Sequence, residues 1–411
     1  MTDAPERASR AQDDPKRLLL AALLFLGSGA CGLIYEVTWS RRLELTFGGT
    51  VPAVATVLAV YMTGLGLGAW LLGPLADRRD RLGCVRLYAI LEVLIGAYGV
   101  LSLPACSLAE SIFYAMAPAP GSLGSWLGRG ALGYLVLLPP TLLMGATLPI
   151  LARSLVPEGG ASVERDAQRV VAGLYGANTL GAVLGVGCAS FFLLEALGFA
   201  GTVAVAVAGN LGVGALAYRL RSHLVAEEPS PVDEEVSQAP EAAPDRLLAW
   251  AGLLVAFCFG LVALSLEVGW TRMLGLVFGS SSAGFALTLI AVLTGIGLGS
   301  LLAIGPVSRK ARLRRLTAAA LLAGGGASLV AALWPELIPF SLRLITSEPS
   351  PAKLLTVQLV ITLVLLLPAT IAFGVAFPLA TSLYTSSGQV GRGVGRVYLA
   401  NTLGAVLGAG P

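Results

Sequence analysis

Histidine, paired cysteines and charged residues are all scarce in this chain. His223 is its single histidine, and no cysteine takes part in a CxxC or Cys/His spacing. Such spacings are needed for zinc sites and for disulfide frameworks, so the sequence predicts no metal site, no cofactor and no disulfide-stapled fold. We expect all five cysteines to be packing residues. They are Cys31, Cys84, Cys106, Cys188 and Cys258.

Charge is depleted throughout the 411 residues. Only 12% of them are Asp, Glu, Lys or Arg, 56% are hydrophobic, and the mean hydropathy is +0.81. A soluble protein carries about 25% charged residues, so the composition excludes a soluble globular protein and gives no reason to expect a nucleic-acid partner. Several apolar runs are long enough to cross a bilayer as helices, and they are continuously apolar rather than alternating, which excludes barrel strands. The sequence predicts an all-α polytopic membrane protein whose partner is the lipid bilayer.

The distribution of polar segments divides the chain into two halves. Residues 1–17 form a polar tail, and the apolar run that follows lacks a cleavage site, so we expect a retained first helix. Residues 18–220 hold six predicted helices, of which the fifth ends near residue 196 and the sixth begins near residue 199. Residues 221–246 are rich in acids and proline and predict a solvated linker. Residues 247–411 form the second half.

An internal repeat supports this division. Residues 31–68 and 262–299 share 16 of 38 aligned positions, including Glu36/Glu267, Trp39/Trp270 and Arg41/Arg272. Compositional bias can align leucines and alanines by chance, but not Glu, Trp and Arg in one register. The repeat therefore indicates a duplication.

A second repeat marks the fifth helix of each half. Nine consecutive residues are identical between Ala177–Gly185 and Ala400–Gly408, both reading ANTLGAVLG. The chain ends three residues after the second copy. By symmetry we expect about 11 transmembrane helices, with the rest of helix 11 and all of helix 12 lying outside this sequence.

The basic residues predict the orientation of the chain. With the N-terminus in the cytoplasm, the inner connections carry 21 of the 27 Lys and Arg residues and the outer connections carry 6. This asymmetry follows the positive-inside rule. It predicts a cytoplasmic N-terminus and linker, and it puts the Glu–Trp–Arg blocks at the outer ends of helices 1 and 7.

The paired glutamates are the first candidates for function, because an ionisable group in hydrocarbon is costly and needs a reason. Glu36 and Glu267 predict either a proton- or cation-binding pair that faces a pathway, or a structural lock. In the lock, Glu36 pairs with Arg272 and Glu267 pairs with Arg41, while Trp39 and Trp270 lie in the aromatic belt. Since the blocks are predicted near the outer surface, we favour the lock.

Small and amide residues recur at matching positions of the two halves. Asn178 and Asn401 predict either hydrogen bonds between helices or the lining of a cavity. The glycines occur four residues apart inside apolar helices, a spacing that allows close helix packing rather than phosphate binding. The predicted packing glycines are Gly64, Gly68, Gly181, Gly185, Gly295, Gly299, Gly404 and Gly408.

The turn after helix 2 reads GPLADRRDR and contains Asp77 and Arg78. It resembles the cytoplasmic signature between helices 2 and 3 of the major facilitator superfamily. In that family the Asp and Arg hold neighbouring helix ends together in one conformational state, which the resemblance implies for Asp77 and Arg78. The equivalent turn of the second half, Gly305–Lys310, has no aspartate. A simple charged turn is the alternative.

Three blocks together resemble a bacterial family in which a facilitator-like membrane region is fused to spermidine synthase. The blocks are LIYEVTWSRRLELTFG (33–48), PTLLMGATLP (140–149) and LYGANTLGAVLG (174–185) with its second copy. The resemblance implies a major-facilitator-like fold of two six-helix halves in the bacterial inner membrane. The chain departs from the family in one respect, because no stretch of it can form the soluble, Rossmann-like synthase domain.

Two functions follow from these patterns. The first is a transporter that moves a small cationic or polyamine-related solute by alternating access, with Glu36 and Glu267 as binding groups and Arg41 and Arg272 as switching partners. The second is a membrane platform, without transport, for a spermidine synthase-like aminopropyltransferase domain. A catalytic intramembrane enzyme lacks any His, Cys or Asp dyad, so we expect no catalytic residue in this chain.

Overall fold

A computed structural model of the chain describes residues 15–47, 51–116, 122–156, 163–225, 246–278, 282–305, 308–347, 350–385 and 389–410. Within these ranges the protein consists of helices joined by short connections and contains no strand. Most of the predicted N-terminal tail, and residues 226–245 of the predicted linker, lie outside the described residues.

Eleven long helices make up the described structure, as the sequence predicts. The first half contains α1 to α6, followed by a one-turn helix at Arg221–Leu224, and the second half contains α7 to α11. Their bounds are α1 Pro15–Phe47, α2 Val51–Ala76, α3 Arg81–Met116, α4 Leu123–Leu155, α5 Val163–Cys188, α6 Leu194–Arg219, α7 Arg246–Phe278, α8 Ser282–Leu302, α9 Arg309–Ser347, α10 Pro351–Tyr384 and α11 Val390–Gly408.

The helices present apolar side chains to the outside of the bundle. Leu135 is 67% exposed, Leu276 is 78% exposed and Leu321 is 73% exposed. Lipid rather than water must cover such a surface, since a soluble monomer rarely exposes large contiguous apolar patches. Among the described residues, nine stretches are long and apolar enough to cross a membrane. The chain is therefore a multi-pass membrane protein.

The longest of these stretches, Arg165–Arg219, is 55 residues long and contains two helices. A π-helical segment, Ala189–Leu193, joins α5 to α6, and Gly198 then takes a positive φ of 63°. That conformation is open to glycine at little cost, because it has no Cβ. The helix is interrupted by a kink at Gly198, in agreement with the predicted break between residues 196 and 199.

The duplication is visible in the contacts between helices. In the first half, Gly64 and Gly68 of α2 lie against Thr141 and Leu142 of α4, so that a methyl group on either glycine would overlap its neighbour. The second half repeats the contact in α8 and α10. There Gly295 lies against Thr370 and Gly299 against the carbonyl of Ile371. Small residues let the backbones approach closely where lipid supplies no hydrophobic drive.

Close glycine contacts also join the helices that carry the two longest repeats. Gly181 and Gly185 of α5 lie against the backbone carbonyls of Leu26 and Ala30 in α1. The equivalent residues of α11 and α7 make the same contact, with Gly404 against Phe257 and Gly408 against Leu261. Each Glu-bearing helix is thus fixed to the Asn-bearing helix of its own half.

The prolines of α4 leave carbonyl groups without their usual helical donor. Pro140 has no N–H to give to the carbonyl of Val136, and the hydroxyl of Tyr98 in α3 donates to that oxygen at 2.5 Å. Thr141 donates to the carbonyl of Leu137 at 2.6 Å. A side chain of a neighbouring helix therefore satisfies the carbonyl that Pro140 leaves without a donor.

The two halves meet at two pairs of helices, and each pair contains one helix from either half. α2 packs against α11, where Gly73 and Gly391 bring their backbones together, and α5 packs against α8 around Gly176 and Gly297. The remaining inner faces of the halves do not fill the space between these two contacts. That space is the cavity of the candidate site.

Gly299→Ala should destabilise the protein, because the new methyl group overlaps the Ile371 carbonyl and overpacking a tight contact costs about 1–3 kcal/mol. Gly324 of α9 is the matched control, since an added methyl group there meets no atom within 4 Å. Thermal unfolding midpoints of the purified variants in detergent measure the difference. Equal midpoints for Gly299→Ala and Gly324→Ala would contradict the packing role of Gly299.

Candidate solute-binding site

A cavity of about 200 Å³ lies between the two halves. Eight helices line it, four from each half: α1, α2, α4 and α5, and α7, α8, α10 and α11. α3, α6 and α9 contribute none of the lining residues and pack outside this inner ring. The cavity is therefore shared equally by the duplicated units.

Glu36 of α1 and Glu267 of α7 both line this cavity. They occupy equivalent positions of the repeat, and the Glu36 carboxyl group lies within range of the charge of Glu267. The duplication thus brings two carboxyl groups from separate halves into one space. Both glutamates therefore face the space between the halves.

The position of Glu36 along its helix differs from the predicted one. The sequence predicts the Glu–Trp–Arg block at the end of helix 1, but α1 continues for eight residues beyond Trp39 to Phe47, about 12 Å at 1.5 Å per residue. Glu36 therefore lies well inside the helix instead of at its outer end. The same holds for α7, which continues beyond Trp270 to Phe278.

The arginines of the repeat do not pair with the glutamates. In the described part of the chain, neither Glu36 nor Glu267 has a Lys or Arg nitrogen within 4.0 Å, and Arg272 is exposed on α7. The neighbouring Arg42 instead forms an ion pair with Glu110 of α3, with Nη2 and Oε2 2.5 Å apart.

Trp39 and Trp270 are also placed differently from the predicted aromatic belt. Trp39 is 1% exposed and stacks on Tyr35 with ring centroids 4.9 Å apart, and Trp270 is 3% exposed. Both indole rings pack inside the protein. The conserved spacing of Glu and Trp within the repeat therefore reflects a buried helix face, not a lipid-facing anchor.

The two asparagines line the cavity as well. Asn178 also donates from Nδ2 to the carbonyl of Phe25 in α1 at 3.1 Å, so it both joins two helices and faces the cavity. Asn401 lies at the equivalent position of α11, against Gly260 of α7. The site thus combines two carboxyl and two amide groups that come from the repeated blocks.

Three tyrosines complete the polar lining and were not selected from the sequence. Tyr61 and Tyr398 lie within electrostatic range of Glu36, and Tyr175 lies within range of Glu267. Tyr175 and Tyr398 were detectable in principle, because each stands two residues before the repeated ANTLGAVLG block. The second copy of the repeat has a valine at the position that aligns with Tyr61, so the repeat does not identify Tyr61 as a lining residue.

The charge of the lining has one sign. Every lining residue belongs to the described ranges, and none of them is Lys, Arg or His, whereas two are glutamates. Phenylalanine and tyrosine rings, which attract cations through their faces, form much of the remaining wall. In the part of the chain that the structure describes, no cluster of three or more His, Cys, Asp or Glu residues could hold a metal ion. The arrangement suits an organic cation or a proton.

Asp77 joins the halves at one end of their interface. Its carboxylate accepts hydrogen bonds from the backbone N–H of Gly391 at 2.7 Å and of Arg392 at 2.8 Å, at the start of α11. Arg153 Nε lies 3.9 Å from Asp77 Oδ1. Burial raises the pKa of Asp77, while the two N–H donors and the guanidinium groups of Arg153 and Arg392 act to lower it. The contact closes this end through a helix N-terminus.

Arg78, the predicted partner of Asp77, is exposed and takes no part in this contact. Arg81 instead donates from Nε to the carbonyl of Ser154 at the end of α4, at 2.9 Å. Arg312, at the equivalent position of α9, donates to the carbonyl of Ser382 at the end of α10, at 3.0 Å. In each half, an arginine at the start of one helix satisfies the last carbonyls of the next.

In the second contact between the halves, the side chain of the first half donates the hydrogen bonds, whereas in the first contact Asp77 of the first half accepts them. Gln168 of α5 occupies the position that corresponds to Gly391 of α11. Its side-chain nitrogen, Nε2, donates to the carbonyls of Ala303 and Gly305 at 2.9 and 3.2 Å. Ser300 adds a bond to the carbonyl of Ala172 at 3.0 Å. The turn after α8 has no aspartate, and the side-chain amide of Gln168 connects the two halves there instead.

The fold of the chain is similar to that of a solved membrane protein. It matches the structure of the major facilitator superfamily proton:xylose symporter XylE bound to 6-bromo-6-deoxy-D-glucose, with a TM-score of 0.59 and 15% sequence identity. The match covers 96% of this chain and 86% of that chain. No protein-family model matches the chain. Its class is therefore that of multi-pass proteins with the major facilitator fold.

Sequence similarity adds a second relationship. Over 215 residues the chain is 31% identical to the polyamine aminopropyltransferases of Mycobacterium tuberculosis and Mycobacterium bovis. The similar region is 51% of this chain and only 37% of the length of those relatives. Together with the fold, this similarity confirms the resemblance to the facilitator-like region of fused spermidine synthase proteins.

Asp77→Ala should open the end of the interface that Asp77 closes. It removes two hydrogen bonds to a charged group, each worth about 1.5–3 kcal/mol. Cys84 is a native reporter, because its thiol is fully buried and contacts the carbonyl of Ala76 beside Asp77. We expect faster maleimide labelling of Cys84 in Asp77→Ala, measured by mass spectrometry.

Two controls restrict this test to the interface. Asp80→Ala changes an acid of the same turn whose carboxylate accepts a hydrogen bond from the Gly83 N–H of the adjoining helix, and it should leave Cys84 protected. Cys106, buried further along α3, should stay unlabelled in every variant. Unchanged labelling of Cys84 in Asp77→Ala, or an equal rise at Cys106, would contradict the role of Asp77.

Proposed function

We propose that this chain is a transporter of the bacterial inner membrane that moves a small cationic, polyamine-related solute by alternating access. The observation that carries the proposal is the pairing of Glu36 and Glu267 in one cavity between the halves. An ionisable residue inside a membrane protein that faces a bundle interior marks a substrate or proton pathway. Two such residues at equivalent positions of a repeat support a central binding site.

The lining supports a cation as the solute. Glu36 and Glu267 supply negative charge, Asn178 and Asn401 supply carbonyl oxygens, and the aromatic rings provide faces for an ammonium group. A linear amine fits a narrow cavity of about 200 Å³ better than a bulky solute does. The names of the relatives contribute the polyamine class, since they are polyamine aminopropyltransferases.

Alternating access would use the two halves as units, residues 18–220 and 247–411, joined by the acidic linker at 221–246. The bridges made by Asp77 and Gln168 hold the same end of the interface closed. The positive-inside pattern predicts that this end, like the N-terminus, faces the cytoplasm. Breaking the two bridges would let the halves rock and open the cavity on the cytoplasmic side.

A second function, a membrane platform for an aminopropyltransferase domain, is favoured by one observation. The matched relatives carry that enzyme name, and the similar region covers only 37% of their length. In that case the cavity would be a remnant that binds no solute, and the membrane helices would tether or feed a synthase-like domain. The two functions differ in whether the cavity binds and moves polyamines.

Uptake of radiolabelled spermidine into proteoliposomes tests the transport proposal. Replacing each glutamate by glutamine removes a charged partner worth about 1.5–3 kcal/mol, or roughly 10- to 100-fold in affinity. We therefore expect Glu36→Gln/Glu267→Gln to abolish saturable uptake. Glu195→Gln is the matched control, because Glu195 is exposed on α6 outside the cavity.

The proteoliposome result separates the two functions. Saturable uptake by the wild type and by Glu195→Gln, lost in the double variant, supports a transporter with these binding groups. Equal flux in wild type and double variant would rule out the role of the glutamates. No uptake above protein-free liposomes, together with no spermidine binding by the purified protein, would favour the platform.

A further inference from the structure

A third buried carboxyl group lies behind the wall of the cavity. Glu92 of α3 is 0% exposed and is not among the lining residues. Its Oε1 accepts a hydrogen bond from the hydroxyl of Ser28 in α1 at 2.6 Å, and its Oε2 accepts one from Nδ2 of Asn210 in α6 at 2.6 Å. One carboxyl group thus joins three helices of the first half.

The surroundings of Glu92 contain no positive charge. In the described part of the chain, no Lys, Arg or His nitrogen lies within 4.0 Å of its carboxyl group. The titratable groups nearby are Cys31 and Tyr35 on α1 and Tyr88 on α3 itself. The group that faces Glu92 from α6 is the Asn210 amide, which does not titrate. A buried carboxylate without a cationic partner is costly, even with two donors.

A hydrogen-bond acceptor for the protonated form of Glu92 lies in the same cluster. Oδ1 of Asn210 is buried and has no hydrogen-bond partner among the described residues. A rotation of the Asn210 amide would turn this oxygen toward a protonated Glu92, which could then donate to it. The same cluster therefore offers donors to the ionised form and an acceptor to the protonated form.

Ser28 connects this cluster to the cavity. It lines the cavity wall while its hydroxyl donates to Glu92. Ser28, Gly32 and Glu36 are spaced four residues apart, so they lie along one face of α1, and all three line the cavity. A single hydroxyl group separates the buried carboxyl from the space that contains Glu36.

We infer that Glu92 is a second proton-exchanging carboxyl of the cavity and that the Ser28 hydroxyl is its route. In protonation, the Ser28 proton passes to Glu92 Oε1 while a hydronium ion in the cavity gives a proton to Ser28 Oγ. One hydronium becomes water, the serine hydroxyl is restored, and Glu92 gains one proton. The ligand of this site is the proton itself.

The use of this proton in transport rests on the proposed function, but its presence does not. In a transporter, Glu92 would store a proton while Glu36 and Glu267 hold the cationic solute, so that loading of the solute and of the proton could be coupled. Detection of the protonated carboxyl requires no solute. Failure of the uptake experiment would therefore leave the exchange at Glu92 open to measurement.

Infrared difference spectroscopy of the purified full chain in lipid tests the inference. The carbonyl stretch of a protonated carboxyl should decrease as the pH is raised, and this component should be lost in Glu92→Gln. Glu195→Gln is the matched control and should retain it. A Glu92 band that does not change over the pH range in which the protein stays folded would overturn the inference, as would a spectrum unaltered by Glu92→Gln.

Hydrogen–deuterium exchange tests the route. After transfer to heavy water, the shift of the Glu92 carbonyl band should be slower in Ser28→Ala than in the wild type. Ser102→Ala is the control, because Ser102 is also fully buried but donates to the Gly99 carbonyl of its own helix. Equal exchange rates in the wild type and Ser28→Ala would show that the proton reaches Glu92 by another way and would overturn the role of Ser28.

Discussion

Close contact between helix backbones is the constraint on which this structure depends. In lipid, apolar side chains gain little by leaving their surroundings, so helices associate through packing and hydrogen bonds. Gly181 and Gly185 let α5 touch α1 at its backbone carbonyls, and Gly404 and Gly408 do the same for α11 and α7. Because α1 and α7 carry the glutamates and α5 and α11 carry the asparagines, these contacts also fix the geometry of the cavity.

The two halves are equivalent in their packing and different in their bridges. Arg81 and Arg312 make matching bonds to the ends of α4 and α10. By contrast, Asp77 receives hydrogen bonds from the start of α11, whereas Gln168 donates hydrogen bonds to the end of α8. Only the Asp77 bridge contains a formal charge. The closed end of the interface is therefore electrostatically asymmetric, although the helices around it are duplicated.

The sequence predicted the duplication, the number of long helices and the break at Gly198, because repeats, apolar runs and glycine have local signatures. It did not predict the depth of Glu36. The Glu–Trp–Arg block was placed at the outer end of helix 1, yet α1 continues beyond it to Phe47, and Leu43 in that stretch is fully buried. Tyr61, Gln168 and Arg153 were also missed. Their roles depend on which helices meet in space, and no local pattern encodes that.

The central claim is that two carboxyl groups from the two halves face one small cavity that receives a cation. Equilibrium binding of a diamine and of the monoamine of equal chain length to the purified protein tests it most directly. The diamine should bind more tightly to the wild type and to Glu195→Gln, because its second ammonium group meets the second glutamate. Glu36→Gln and Glu267→Gln should each lose that preference. Equal binding of the two amines to the wild type, or an undiminished preference in both single variants, would contradict the claim.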